Sequence, residues 1–109
     1  MLGVHWLGHA QRCDPAVLSD PARLARFLAD LASALELTVM APPQVHVVPH
    51  GLAGVVLLGE SHAAIHTDLT ACSAYVDVFS CTTLDAATAD RFVREALAAR
   101  VLEWRVVQR

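Results

Sequence analysis

The chain has 109 residues, a formal net charge of −3, 55% apolar and 17% charged residues. That length fits one domain, 1–109, and no apolar run approaches the ~20 residues that span a bilayer. The mild negative charge gives no basic footprint for nucleic acid or an anionic membrane surface.

Val4 to Gln11 reads as a first strand, with His5, Leu7 and His9 on one face and Trp6 and Gly8 on the other. Asp14-Pro15 reads as a turn. Asp20 followed by Pro21 is a helix start, a capping carboxylate before a proline at the first helical position. Leu24, Phe27, Leu28, Leu31 and Leu35 then recur at helical spacing. Ala41-Pro42-Pro43 interrupts a strand region that resumes over Gln44–Val48, and Pro49-His50-Gly51 is a turn. Ala53–Gly59 and His62–Thr67 read as strands joined at Glu60-Ser61, and Ala74–Cys81 alternates with a period of two. Thr83 or Asp85 starts a second helix carrying Ala89, Phe92, Val93, Ala96 and Leu97, and Val101–Val107 closes as a strand. The order β-α-β-β-β-β-α-β predicts an α+β two-layer sandwich, a mainly antiparallel sheet with two helices packed on one face.

Three cysteines at wide spacing with no CxxC predict reduced thiols rather than a disulfide framework. Cys13 and Cys72 read as structural. The histidines recur four apart as His5/His9, His46/His50 and His62/His66, which keeps strand partners on one face. Without CxxC or HExxH the expectation is no metal, and a small metal-binding domain is the weakest alternative. The N-terminus Met1-Leu2-Gly3-Val4-His5 lacks a basic region and a cleavage site, so no signal peptide is expected and the location expected is cytoplasmic.

All eight basic residues are arginines, so no lysine can form a Schiff base directly or hold pyridoxal phosphate. Carbonyl chemistry with amines would need a carbonyl made by the protein itself. Glu60-Ser61-His62, with His66 after it, sets a hydroxyl, a carboxylate and two imidazoles between apolar runs.

Glu60-Ser61-His62-Ala63-Ala64-Ile65-His66-Thr67 followed by Ala74-Tyr75-Val76-Asp77-Val78-Phe79-Ser80-Cys81 resembles the short prokaryotic S-adenosylmethionine decarboxylase proenzymes. Leu2-Gly3-Val4-His5, Cys13-Asp14 and Gly51-Leu52-Ala53-Gly54-Val55-Val56 extend the likeness over the whole chain. The resemblance implies a zymogen whose serine attacks the preceding carbonyl, passes through an ester and eliminates. That cuts the chain between Glu60 and Ser61 into a β chain, 1–60, and an α chain, 61–109. It further implies that Ser61 becomes a pyruvoyl group, which forms a Schiff base with substrate, without pyridoxal phosphate or metal. His66 is implied to assist processing and Cys81 to return a proton to the substrate carbon. A homodimer with sites at or near the interface is implied too, a setting that suits the high apolar content.

The chain departs from that pattern at three places. The serine of the family's Gly-Val-Ser-Gly is Ala53, the aromatic-Pro-Glu after His-Thr is Asp68-Leu69-Thr70, and a family phenylalanine falls near Val47. Asp68 puts a carboxylate where an adenine ring would lie, which suits a cationic side chain. The expectation is therefore a decarboxylase of polyamine biosynthesis leaning to L-ornithine or L-arginine. One alternative is S-adenosylmethionine as substrate for spermidine synthesis, with Trp6, Tyr75 or Phe79 holding the adenine. Another is a non-cleaving regulatory paralogue, for which Ala53 is the motivating residue. Asp77, alternating with apolar neighbours, reads as a buried and paired carboxylate.

Overall fold

The alternating segments close into one six-stranded sheet in a computed structural model that describes residues 3–109. Met1 and Leu2 lie outside the described residues, and with them the signal-peptide reading and the first residue of the Leu-Gly-Val-His likeness. The elements run β1 (Val4–Gln11), α1 (Pro15–Leu18), α2 (Pro21–Ala34), β2 (Gln44–Val48), β3 (Gly51–Leu58), β4 (Ser61–Asp68), β5 (Ser73–Ser80), α3 (Ala86–Ala96) and β6 (Val101–Gln108). The sheet order is β2-β3-β4-β5-β1-β6, and every pairing is antiparallel. The predicted α+β two-layer sandwich is the fold, with one element more than expected. Asp14-Pro15 is not a simple turn but the cap and first residue of α1, the Asp14 carboxylate accepting the Ala16 N–H at 2.9 Å. One turn of helix is too short to leave a periodic signature.

Asp20 and Asp85 cap α2 and α3 in the same way. The two helices bury Leu24, Phe27, Leu28, Leu31, Ala89 and Val93 in one cluster with Trp6, Val56, Ile65, Val76 and Val78 from the sheet. Each such large side chain contributes ~1.5–3 kcal/mol on burial. Trp6 lies flat along its own strand, over the Cα of Gly8, where any Cβ would strike the indole ring. Thr67 ties the layers together. Its hydroxyl accepts the Leu52 N–H at 3.0 Å and donates to the Leu18 carbonyl at 3.2 Å.

The other face of the sheet carries no helix. Cross-strand register sets three rows there: His62, Phe79 and His5; Ala64, Asp77, Leu7 and Arg105; His66, Tyr75, His9 and Glu103. All five strand histidines therefore share the open face. Among the described residues no group of three or more His, Cys, Asp or Glu could hold a metal ion. No helix of the described residues is long and apolar enough to cross a membrane.

Candidate active site

Leu58 and Ser61 pair across the β3–β4 hairpin, so its loop is only Gly59-Glu60. Glu60 takes a left-handed φ of 56°, while Gly59 does not have positive φ. Two-residue hairpins favour turns whose twist matches the strands, and a left-handed second loop position ordinarily takes glycine. A glutamate there costs ~1–2 kcal/mol. Local strain therefore sits on the residue whose carbonyl belongs to the Glu60–Ser61 peptide bond.

Ser61 is the first residue of β4 rather than a junction outside it, and only 5% of it is exposed. β5 ends beside it, and the Cys81 N–H donates to Ser61 Oγ at 3.3 Å. Cys81 Sγ lies 3.8 Å from Ser61 Oγ and donates to Glu60 Oε2 at 3.6 Å. Serine, thiol and carboxylate thus form one chain of contacts. They open onto a groove of ≈ 530 Å³ lined by Met40, Leu57, His62, Phe79 and Arg109 as well as the hairpin. His62 stacks on Phe79 at 5.6 Å, and the Arg109 guanidinium lies 5.5 Å from the centre of that ring.

His66 is not in this cluster. It lies five residues along the same strand, an odd step that puts it on the opposite face, about 17 Å away at 3.3 Å per residue. Its cross-strand neighbours are Ala53 and Tyr75, so the position where the family pattern has serine faces His66 directly. Tyr75 is 57% exposed and stacks on His9 at 4.4 Å with the rings 5° apart.

Asp68 ends β4, at the far end from Ser61. Its Oδ1 accepts the N–H groups of Thr70 at 3.0 Å and Ala71 at 3.1 Å, an Asx turn that leads into β5. It also lines a groove of ≈ 390 Å³ with His9, Arg12, Ser73 and Tyr75. Val47 is 81% exposed on edge strand β2 and offers no ring. Trp6 is fully buried against the helices, which removes it as an adenine support and leaves Tyr75 and Phe79. Asp77 is half-buried on the open face and makes no salt bridge among the described residues, contrary to a buried paired carboxylate.

Two features carried no signal in the motif. Arg109 reaches the groove only because β6 pairs with β1, a non-local register. Thr67 of the His-Thr pair serves the core instead. Cys13 is buried, and its backbone N–H donates to the Cys72 carbonyl at 2.9 Å. Burial, then the neighbouring Cys72 thiol, pushes the Cys13 thiol up from 9.0 to about 11.

A carbonyl group made from Ser61 fits these surroundings. Ser61 is nearly excluded from solvent, a backbone N–H already points at its side-chain oxygen, and the groove admits a small amine.

A family model described as S-adenosylmethionine decarboxylase matches residues 4–109. The S-adenosylmethionine decarboxylase proenzyme of Thermodesulfovibrio yellowstonii is 34% identical over 101 residues, which cover 92% of this chain and 75% of that protein. The proenzyme of the same name from Pyrococcus furiosus is 32% identical over 80 residues, 73% of this chain but only 58% of that protein. Among solved structures, the adenosylmethionine decarboxylase of Aquifex aeolicus superposes with a TM-score of 0.82 at 24% identity, over 97% of this chain and 88% of that one. At that identity the superposition speaks for the fold.

Proposed function

We propose that this chain, which belongs to the S-adenosylmethionine decarboxylase family of pyruvoyl-dependent carboxy-lyase proenzymes, cuts itself between Glu60 and Ser61 and then decarboxylates a small amino acid. The observation that carries this is the hairpin: a left-handed Glu60 immediately before a buried Ser61 whose oxygen is held by Cys81. Ser61 Oγ attacks the Glu60 carbonyl carbon, and leaving the strained turn lowers the barrier to that attack. The pyruvoyl group made from Ser61 supplies the electron sink that carbon–carboxylate cleavage needs. Cys81 holds the proton that the product carbon receives, its thiol fixed between Ser61 and the Glu60 carboxylate.

His66 assists processing from a second copy of the chain. Its own Ser61 is out of reach, whereas the open sheet face presents it to a partner. Exposed Val55, Leu57 and Tyr75 give that face its apolar surface. Asp68 alternates with His66 on the strand, so a partner that contributes one brings the other close. One Asp68 oxygen stays outside the Asx turn and suits the cationic end of L-ornithine or L-arginine. The exposed Tyr75 platform supports a second reading, in which S-adenosylmethionine lays its adenine there.

Intact mass under denaturing conditions tests the main reading. Two chains, 1–60 and 61–109, are expected, and Ser61→Ala should stay whole with decarboxylation at background. A single full-length species from the unmutated protein would instead favour the non-cleaving paralogue. Release of CO₂ from ornithine, arginine and S-adenosylmethionine in parallel then decides the substrate.

A further inference from the structure

We infer that Arg109 is the anchor for the substrate's α-carboxylate. The inference rests on Ser61 being the cofactor precursor, and it holds for any of the three substrates because all share that carboxylate. Arg109 directly follows the edge strand β6 and is tied by paired backbone hydrogen bonds to Gly3, the residue before β1, its N–H donating at 2.8 Å. This places its guanidinium in the groove that Ser61 opens onto, parked 5.5 Å from the centre of the Phe79 ring. Among the described residues Arg109 makes no salt bridge and its side chain makes no hydrogen bond; the one salt bridge joins Arg94 to Asp90. A guanidinium held beside a ring with no side-chain hydrogen bond or salt bridge keeps its N–H donors available, and that fork of donors grips carboxylates in pairs. No other arginine lines that groove, while Glu60 gives its carboxylate to the Cys81 thiol.

The sign of the kinetic effect follows from the chemistry. The carboxylate is charged in the ground state and leaves as neutral CO₂. Pairing with Arg109 therefore weakens on the way to the transition state, so the residue serves binding and orientation rather than acceleration. Arg109→Gln should raise KM roughly tenfold or more, as for a lost charge-assisted hydrogen bond, with kcat unchanged or raised. Arg109→Lys should restore part of the loss. A merely structural role would lower kcat instead.

A binding measurement without turnover completes the test. Borohydride reduces the ketone of processed protein to an alcohol and stops catalysis. Calorimetry then compares L-ornithine with putrescine, and S-adenosylmethionine with its decarboxylated product. Unmutated protein should prefer the amino acid that its groove accepts over the matching amine, and Arg109→Gln should abolish that preference without weakening the amine. An unchanged preference in cleaved Arg109→Gln would overturn the anchor and leave the decarboxylase reading intact. Failure of the unmutated protein to cleave would remove both.

Discussion

At its first residue strand β4 holds Ser61 in a part-buried contact with Cys81, whereas its far end holds His66 and Asp68 on the open face about 20 Å away. The near end has a strained turn, a thiol, a carboxylate and a groove containing Arg109. The far end has an imidazole, a stacked His9–Tyr75 pair and an Asx turn. Neither end alone assembles the residues that the family pattern uses for one reaction. A strand is stiff, so folding one chain more tightly cannot bring its ends together. Two copies packed through the open face can place the near end of one against the far end of the other.

The largest expected effect comes from separating the ends onto different chains. His66→Ala and Cys81→Ala should each be nearly inactive alone. Co-expressed, they should regain about a quarter of normal activity, because random pairing makes half the dimers mixed and each mixed dimer has one complete site. Decarboxylation that stays at background in the mixture would break the comparison and return both ends to a single chain.

A smaller effect concerns what anchors the far end, where Cys13 meets the turn after Asp68. Its folded thiol titrates near 11 against 9.0 as the ordinary value. The protonated form is favoured by the fold, so this contribution is fully present below pH 9. Between pH 9 and 11 the unfolded chain binds fewer protons than the folded one, and stability falls by up to about 2 kcal/mol. Urea unfolding of unmutated protein and Cys13→Ser across that range should show the extra loss only with the cysteine.

The smallest effect belongs to the turn. Glu60→Gly removes both the strain and the carboxylate, while Glu60→Gln removes only the charge. The glycine variant should stabilise the uncut precursor by about 1 kcal/mol and cleave about fivefold more slowly than the glutamine variant. Equal cleavage rates for the two would mean that left-handed Glu60 stores nothing used in the reaction.

Much of this was legible in the order of residues. Alternation in β1 and β5 sorted Trp6 from His5 and Val78 from Phe79 because strand side chains change face at each step. Asp20-Pro21 marked α2 because cap and proline act locally. The same rule also contained the separation of Ser61 from His66, since five is an odd number of strand steps. What could not be read depends on distant pairing: β6 lying against β1 brings Arg109 to the groove, and the end of β5 brings Cys81 to Ser61. The turn at Asp68 is local, yet Asp-Leu-Thr satisfies both an Asx turn and a carboxylate offered to a ligand. Hydrogen bonds to Thr70 and Ala71 are what show the first use.

The strand order has a consequence for the life of the mature protein. With the cut proposed between Glu60 and Ser61, the 1–60 piece would own β2, β3 and β1, and the 61–109 piece β4, β5 and β6. In the sheet they alternate two, two, one, one, like the fingers of clasped hands. Three seams of ladder hydrogen bonds then replace one covalent bond, so cutting need not loosen the whole. Reassembly is another matter. The proenzyme folds as one chain at any dilution, but its cut halves, once unfolded, must first find each other. Heat damage should therefore be forgiven before maturation and remembered after it.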